Sequence, residues 1–302
     1  MRNLALIVNP VSGNGKALNI LPEVKSYFNL HSEIITIETR ISRYQGNIEE
    51  LSKELYEKGF REFIVLGGDG SLSEMVNGLA PFRNNKIVVG VIPYGSGNDF
   101  IKSAYGTSKL NIILRSIVNR DVKLIDIGKV NEMYFINSCT FGIDGPIIQM
   151  TDKLKKKMTG KLAYYISTLT EGVKFKPSEV KLTLDDYEIT GKKLIVALNN
   201  GQFIGGGMKF TPEAKFTDEK LSACIVDDVS KAFFLRNLKK VYEGNLFQLD
   251  AVAYYDFEQA SISVSGRQYA INIDGNLVGK TPAQISIQKK AINIFCDPEY
   301  VK

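Results

Sequence analysis

Four short apolar runs, NLALIV (3–8), SEIITIE (32–38), EFIVLGG (62–68) and KIVVGVIP (86–93), alternate with stretches of helical spacing. No other feature restricts folding as strongly. Strands apolar on successive residues must be covered on both faces, and helices between consecutive strands supply that cover. The pattern therefore predicts a mostly parallel sheet with helices on both sides. The helical stretches are KALNILPEVKSYF (16–28), GNIEELSKELYEKG (46–59), SLSEMVNGL (71–79), NDFIKSA (98–104) and KLNIILRSIVN (109–119). In the second, Ile48, Leu51 and Leu55 share one face and Gly59 suits the C-cap. Pro22, in the first, fits only an opening turn or a kink.

After about residue 125 the pattern changes. LIDIGKVNEMYFINSCTFGI (124–143) reads as two strands joined by a turn at Asn131-Glu132. One long helix is expected next, because Ile147, Met150, Leu154, Met158, Leu162, Tyr165 and Leu169 fall three or four residues apart. Beyond it alternating runs predominate, among them EVKLTL (179–184), KKLIVALNN (192–200), LSACIVDD (221–228) and QYAINIDG (268–275). Alternation between tight Gly or Asp turns marks an antiparallel sandwich or barrel. The expected organisation is an α/β N-terminal domain with a mostly parallel sheet over residues 1–126, then a mostly β C-terminal sandwich domain over 127–302. The last few residues have room to pack on the first domain.

VLGGDGSLSEMVNGL (65–79) sets three glycines and an aspartate between a strand and a helix. Gly67, Gly68 and Gly70 lack a Cβ, so their amides can approach a phosphate closely. The helix start adds its free N–H groups and positive end. Asp69 sharpens the reading, because a carboxylate beside a phosphate is repelled unless a cation lies between them. Two unit charges near 4 Å interact by roughly 1 kcal/mol in water and several times that in protein. Mg2+ on the phosphates would reverse the sign, so the loop reads as a nucleotide–Mg2+ site. Taken alone, it reads equally as a bare strand–helix turn.

Two more loops follow strands. NPVSGNGK (9–16) offers Asn9 and Ser12 but departs from the P-loop pattern, with Pro10 at the first Gly and Ala17 at the Ser/Thr. PYGSGNDF (93–100) brings Gly95, Ser96 and Asp99. Ligands of open parallel sheets gather at the carboxyl ends of strands, so the three loops together point to a phosphate-rich ligand.

Other chemistries are thin. The 302 residues hold one histidine, His31, in a polar stretch, so acid–base work falls to carboxylates, Lys or Tyr. Cys139, Cys224 and Cys296 are far apart, odd in number and without zinc spacing, which suits a reducing compartment. A net charge of +5 and a pI of about 8.8 are compatible with phosphate ligands or an anionic membrane surface. No basic segment interleaved with aromatics argues for nucleic acid. No apolar run is long enough to span a bilayer, and MRNLALIVNP is too short in apolar residues for a secretory signal, so a cytoplasmic protein is expected. DKLKKKMTGK (152–161) sets five lysines on the long predicted helix. They read as a solvated face or as a dock for anionic lipid, where each basic residue contributes about 1 kcal/mol.

NPVSGNGK, GGDGSLSEMVNGL, IPYGSGNDF, IDIGKVNEMYFINSCTFGIDG, NNGQFIGGGMKFTPEAKFTDEKL and INIDGN run in order across nearly the whole chain. On these segments the sequence resembles the diacylglycerol kinase catalytic family, which includes bacterial diacylglycerol kinases, related lipid kinases and sphingosine kinases. GGDG alone is also similar to phosphofructokinases and NAD kinases. The resemblance implies two domains, ATP at the glycine-rich loops, and a hydroxyl of diacylglycerol or a similar lipid phosphorylated in the cleft between them. On the nucleotide side it implies Asn9, Ser12, Thr39, Gly67, Gly68, Gly70, Ser71, Gly95 and Ser96. Glu74 matches the family's acid in the first turn of the helix after the loop. Asp69, Asp99 and Asp126 match acids used with water and Mg2+ near the cleft. AKFTDEKL matches a separate metal loop, with a carboxylate from Asp218 and backbone carbonyls from Lys215 and Lys220; its plain reading is a polar turn. Asp274 matches the general base that takes the proton of the lipid hydroxyl, while NIDGNLVG also reads as a hairpin on an Asp-Gly turn. A homodimer and transient contact with the inner face of an anionic membrane are further implications.

The match is incomplete at three positions. Asn276 stands where family members carry Glu; it can coordinate through its carbonyl oxygen but brings no charge. Ser73 replaces the usual Asn, and Gln45 a common small residue. Two other readings stay open: a nucleotide- or lipid-binding pseudokinase with weak or no turnover, and a kinase of a soluble substrate such as NAD. The GGGMKFTPEAKFTDEKL segment speaks against the second.

Overall fold

The four N-terminal apolar runs form β1 (Arg2–Val8), β2 (Ile35–Ile41), β3 (Glu62–Gly67) and β4 (Val88–Pro93) in a computed structural model of the chain. That structure describes all residues except Arg83, Asn85, Lys156 and Lys302, and at Lys161 only the backbone. The strands pair in parallel in the order β4-β3-β1-β2, as the alternation predicts. Helices α1 (Ala17–Asn29), α2 (Asn47–Glu57), α3 (Asp69–Leu79), α4 (Asp99–Tyr105) and α5 (Leu110–Asn119) cover them, and β5 (Val122–Val130) follows. Leu4 to Val8 and Phe63 to Leu66 have no exposed surface, as two-faced burial requires. Glu62 is buried between two guanidinium groups, Arg2 at 2.7 Å and Arg120 at 2.8 Å, so its charge is compensated. Pro22 lies inside α1, past the opening turn, on an exposed position where the carbonyl left without a donor can bond water.

The chain divides into two compact units, Met1–Ile127 with Lys289–Lys302, and Gly128–Gln288. The second holds β6 (Met133–Phe135), β7 (Ser138–Gly142), α6 (Asp144–Leu154), α7 (Gly160–Lys174), β8 (Ser178–Leu184), β9 (Tyr187–Asn199), β10 (Phe203–Ile204), β11 (Met208–Lys209), β12 (Leu221–Asp227), α8 (Lys231–Glu243), β13 (Val252–Phe257), β14 (Gln259–Val264), β15 (Ala270–Ile273) and β16 (Asn276–Lys280). The last strand, β17 (Ala283–Phe295), pairs antiparallel with β14 near its start and parallel with β4 at Asn293–Ile294. Within the second unit β7, β8, β9, β12, β13, β14, β15 and β16 pair antiparallel, as do β5 with β6 and β10 with β11.

Strand β9 organises this unit. Its first half alternates in exposure and pairs with β8. Its second half is buried on both faces between β7 and β12. Val196 and Leu198 enter one core with Phe141, Leu182 and Phe257, whereas Ile195 and Ala197 enter another with Ile147, Phe210 and Cys224. Side chains alternate across a strand, so the run from Ile195 to Leu198 serves two cores.

Two expectations need correction. The long helix is two, α6 and α7, because Thr159 is extended (φ −64°, ψ 145°) and starts a new helix. The apolar stripe repeats across that break, so periodicity alone hides it. Of the five lysines assigned there, Lys153, Lys155 and Lys157 are exposed; Lys156 and the Lys161 side chain lie outside the described residues. The second run of 124–143 is interrupted at Ile136–Asn137. Helix α8 lies in a stretch to which the sequence pattern assigns no element; Ser230 accepts the Phe233 N–H at 3.2 Å and Gly244 (φ 74°) closes the helix, the two end signals a helix needs.

Leu198 has no exposed surface and Tyr187 is 65% exposed on the same strand. Leu198→Ala is expected to cost about 2–5 kcal/mol and Tyr187→Ala less than about 1 kcal/mol, measured by urea unfolding.

Candidate active site

The three glycine-bearing loops of the first unit meet through small residues. Asn9 Nδ2 donates to Ser71 Oγ at 2.8 Å, tying the loop after β1 to the first turn of α3. A Cβ on Gly67 would sit 2.7 Å from Ser71 Oγ and 3.5 Å from Ser12 Oγ. Gly68 and Gly95 press backbone on backbone: a Cβ on Gly95 would lie 2.6 Å from the Gly68 Cα, and one on Gly68 3.0 Å from the Gly95 Cα. Asn98, in the left-handed region (φ 53°), closes the loop after β4 by accepting the Gly95 N–H and donating to the Gly95 carbonyl, both at 3.0 Å. Asn9, Ser12, Gly67, Gly68, Gly70, Ser71 and Gly95 thus belong to one neighbourhood, with Ser96 exposed beside it. Thr39 stands apart on β2, half-exposed and in register with Leu6.

The acids of this unit cap helices. Both Asp69 oxygens accept backbone N–H groups at the start of α4, from Asp99 and Phe100, each at 3.0 Å. Asp69 opens α3 and satisfies α4, whose first amides would otherwise lack partners. The start of α3 has Gly68 as N-cap, with no side-chain bond, and the Ser71 and Leu72 amides donate to the Gly68 carbonyl at 3.0 and 3.1 Å. Asp99 is buried and receives Lys102 Nζ at 2.8 Å, while Lys102 also donates to the Gly97 carbonyl. Asp126 on β5 is buried and accepts the Lys290 N–H at 2.7 Å, where Lys290 turns β17 through the left-handed region (φ 48°).

Because α3 begins at Asp69, Glu74 lies in its second turn rather than the first. Burial raises its carboxyl above the ordinary glutamate value, while hydrogen bonds from the Gly46 and Ile48 amides at the start of α2 pull it down. Its Oε2 is buried without a hydrogen-bond partner. The thiols supply no nucleophile: all three cysteines are buried, and burial pushes Cys224 and Cys296 up to about 12.

In the second unit the interruption at Ile136–Asn137 has a purpose. Asp274 Oδ2 accepts the Ile136 N–H at 3.0 Å, and Oδ1 accepts those of Asn137 at 3.0 Å and Ser138 at 2.9 Å. Asp274 (φ 49°) and Gly275 (φ 89°) form the two-residue turn between β15 and β16, with positive φ at both positions as a type I′ hairpin demands. The carbonyls of the same peptides are held from behind. Asn200 Nδ2 donates to the Ile136 carbonyl at 2.9 Å, and the Asn200 and Gly201 amides donate to the Asn137 carbonyl at 2.9 Å. A Cβ on Gly201 would collide with Asn137 Oδ1 at 2.0 Å. Asn276, two residues on, is half-exposed at the start of β16.

An apolar cavity lies behind these strands among α6, α7, α8, β9 and β12. Ile147, Ile195, Met208, Phe234 and Leu238 are among its walls, and Asp144 is its one acidic lining group. Asp144 Oδ2 accepts from Thr140 Oγ1 and Asn272 Nδ2, both at 2.5 Å. Asn272 precedes Asp274 by two positions on the same hairpin, and its Oδ1 is buried without a partner. Sequence reasoning passed over Asp144; the signal was a lone acid inside the apolar segment SCTFGIDGPII. Lys215, Asp218 and Lys220 lie in an irregular loop before β12, where Asp218 is exposed and its Oδ1 accepts the Lys220 N–H at 3.3 Å.

Residues 3–130 match the diacylglycerol kinase catalytic domain, and residues 137–296 match the YegS C-terminal NAD kinase beta sandwich-like domain. The chain belongs to the diacylglycerol kinase catalytic family. A diacylglycerol kinase of Bacillus subtilis (strain 168) is 28% identical over 301 residues, covering 99% of this chain and 98% of that protein. A putative diacylglycerol kinase from Bacillus anthracis shares the fold with a TM-score of 0.79 at 24% identity, covering 99% of both chains. An NAD kinase from Archaeoglobus fulgidus in complex with ATP shares it more distantly, with a TM-score of 0.55 at 11% identity over 99% of this chain and 95% of that one. In this member of the diacylglycerol kinase family the glycine loops fall in the first matched segment, and Asp144 and Asp274 in the second.

Two substitutions test the capping roles. Asp69→Asn leaves one of the Asp99 and Phe100 amides without an acceptor and is expected to cost about 1–3 kcal/mol by urea unfolding. Glu74 gives a pH dependence of known sign. A carboxyl raised on folding binds protons better in the native state, so its contribution is greatest below the unfolded value and is lost as pH rises through the folded value. Glu74→Gln should therefore gain stability relative to the parent as pH rises through that window.

Proposed function

We propose that the protein transfers the γ-phosphate of ATP to the hydroxyl of diacylglycerol or a similar lipid alcohol. The observation that carries the reading is the apolar cavity whose polar end is Asp144, joined through Asn272 to the hairpin of Asp274. An acyl-bearing substrate fits such a pocket, and a soluble dinucleotide does not. Its hydroxyl would find unused acceptor capacity at the Asn272 carbonyl oxygen and lie on the Asp274 side of the cavity. Residues 1–126 are assigned to the nucleotide and residues 127–302 to the lipid.

The chemistry asked of each residue is modest. Phosphoryl transfer proceeds through a loose transition state, and its acceleration comes mainly from positioning and charge stabilisation. The amides at the start of α3, with Asn9, Ser12, Thr39, Gly95 and Ser96 around them, hold the polyphosphate. Asp274 acts as general base. Three amide donors fix its carboxylate in place, so that it is positioned rather than mobile. Mg2+ neutralises charge on the transferring group when bound. It is commonly held by one or two carboxylates plus phosphates and water, and among the described residues no three acidic, His or Cys side chains form a cage, which fits that mode. Asp69, Asp99 and Asp126 are the acids available to it, directly or through water. A second cation would be held by Asp218 with the carbonyls of Lys215 and Lys220. Peripheral contact with an anionic membrane and a homodimer complete the reading; among the described residues no helix is long and apolar enough to cross a membrane.

Asn276 supports a second reading, a pseudokinase that binds nucleotide or lipid with little turnover, because the position lacks the charge of a Glu. Phosphorylation of a lipid extract with [γ-32P]ATP and Mg2+ separates the two. The kinase reading expects a labelled lipid, a loss of at least about 100-fold in Asp274→Ala, and a faster Asn276→Glu. Bound ATP with no labelled lipid from any extract would establish the pseudokinase instead, and label transferred to NAD+ would overturn the lipid assignment.

A further inference from the structure

No residue of α8 is buried, yet the helix has two functional faces. Phe233, Phe234, Leu238 and Val241 line the apolar cavity. On the outer side Leu235 (46% exposed) and Tyr242 (42% exposed) are seven residues apart and form one stripe. Lys231, Arg236 and Lys239 flank it, all exposed. Glu243 is the one acid on the helix and pairs with Lys239 at 3.3 Å; among the described residues no ion pair engages Lys231 or Arg236. Phe247, just past the Gly244 turn, is 61% exposed. The neighbouring helix repeats the arrangement: Tyr164 and Thr168 of α7 line the cavity, while Leu162 and Tyr165 are about half exposed. The two helices touch where the Phe234 ring lies against Gly172, since a Cβ there would come within 2.1 Å of it.

Scattered exposed hydrophobics need no explanation, but here they stand on the outer faces of the two helices that roof an apolar cavity, beside Lys231 and Arg236, which have no ion-pair partner among the described residues. We propose that the outer face of α7 and α8 docks on an anionic phospholipid bilayer, with α8 as the roof through which an acyl chain enters the cavity. Charge complementarity selects the occupant: Lys231 and Arg236 meet lipid phosphates, while Leu235, Tyr242 and Phe247 enter the headgroup boundary, where aromatic and basic side chains are favoured. A helix whose inner face borders unfilled space is weakly held and can shift to admit a chain. The purpose of the docking rests on the lipid-kinase reading; its test does not.

The test is co-sedimentation of the full chain with phosphatidylcholine vesicles, with and without phosphatidylglycerol. Lys231→Gln/Arg236→Gln is expected to bind anionic vesicles roughly 30-fold more weakly and neutral vesicles as the parent does. Leu235→Ser/Tyr242→Ser is expected to lose about tenfold on both. These positions are exposed, so unfolding midpoints near that of the parent will certify the fold. Parent-like binding by both double variants overturns the proposal. So does a parent dimer that the variants convert to monomer while vesicle binding stays unchanged, since the face would then join two copies of the chain. Docking that depends on α8 without any lipid phosphorylation removes the kinase reading alone. Phosphorylation of detergent-dispersed lipid, with vesicle binding indifferent to α8, removes the docking alone.

Discussion

Three consecutive backbone amides, those of Ile136, Asn137 and Ser138, converge on the carboxylate of Asp274. Much of the second unit is arranged to make that convergence possible. A strand cannot aim three successive N–H groups at one point, because they alternate in direction. The chain must therefore break between β6 and β7, and the break must be held. The Asn200 side chain and the Asn200 and Gly201 amides hold it from the carbonyl side, so each peptide of the loop is gripped at both ends. The acid is presented by a hairpin turn with positive φ, a conformation that Asp tolerates better than most residues. A mobile carboxylate has thereby become a fixed one.

The acids of the first unit follow a related logic. In the sequence Asp69 reads as a side chain that needs a cation beside phosphate. Its two oxygens also satisfy the opening amides of α4, and Glu74 does the same for α2. Capping and anion binding draw on the same N–H groups at a helix start, so the carboxylates of Asp69 and Glu74 occupy the starts of α4 and α2.

Local pattern carried a large part of this fold. The parallel sheet was legible because two-faced burial leaves uninterrupted apolar runs, and the Asp-Gly turn because few residues accept its backbone angles. The glycines at 67, 68 and 95 could be read as bare backbone, but their closeness to one another is a tertiary fact that no single stretch records. Where periodicity ran on through a break, as between α6 and α7, it misled. The start of α8 is legible from Ser230 and its end from Gly244 once the helix is known, signals that a short polar stretch between strands also carries. Asp144 was invisible for another reason: one acid in an apolar segment acquires meaning only when Thr140, Asn272 and a cavity surround it.

Strand β9 carries a consequence for communication within the second unit. Its Ile195 and Ala197 belong to the core that walls the cavity, while Val196 and Leu198 belong to the core on the opposite face. Its end pairs with Ser138 and Cys139, where the amide cradle begins. A guest filling the hollow would press on the same ribbon that terminates at the cradle. Occupancy would be registered as slower deuterium uptake at Ile136 to Ser138, coupling the presence of a hydrocarbon tail to the rigidity of the Asp274 cradle.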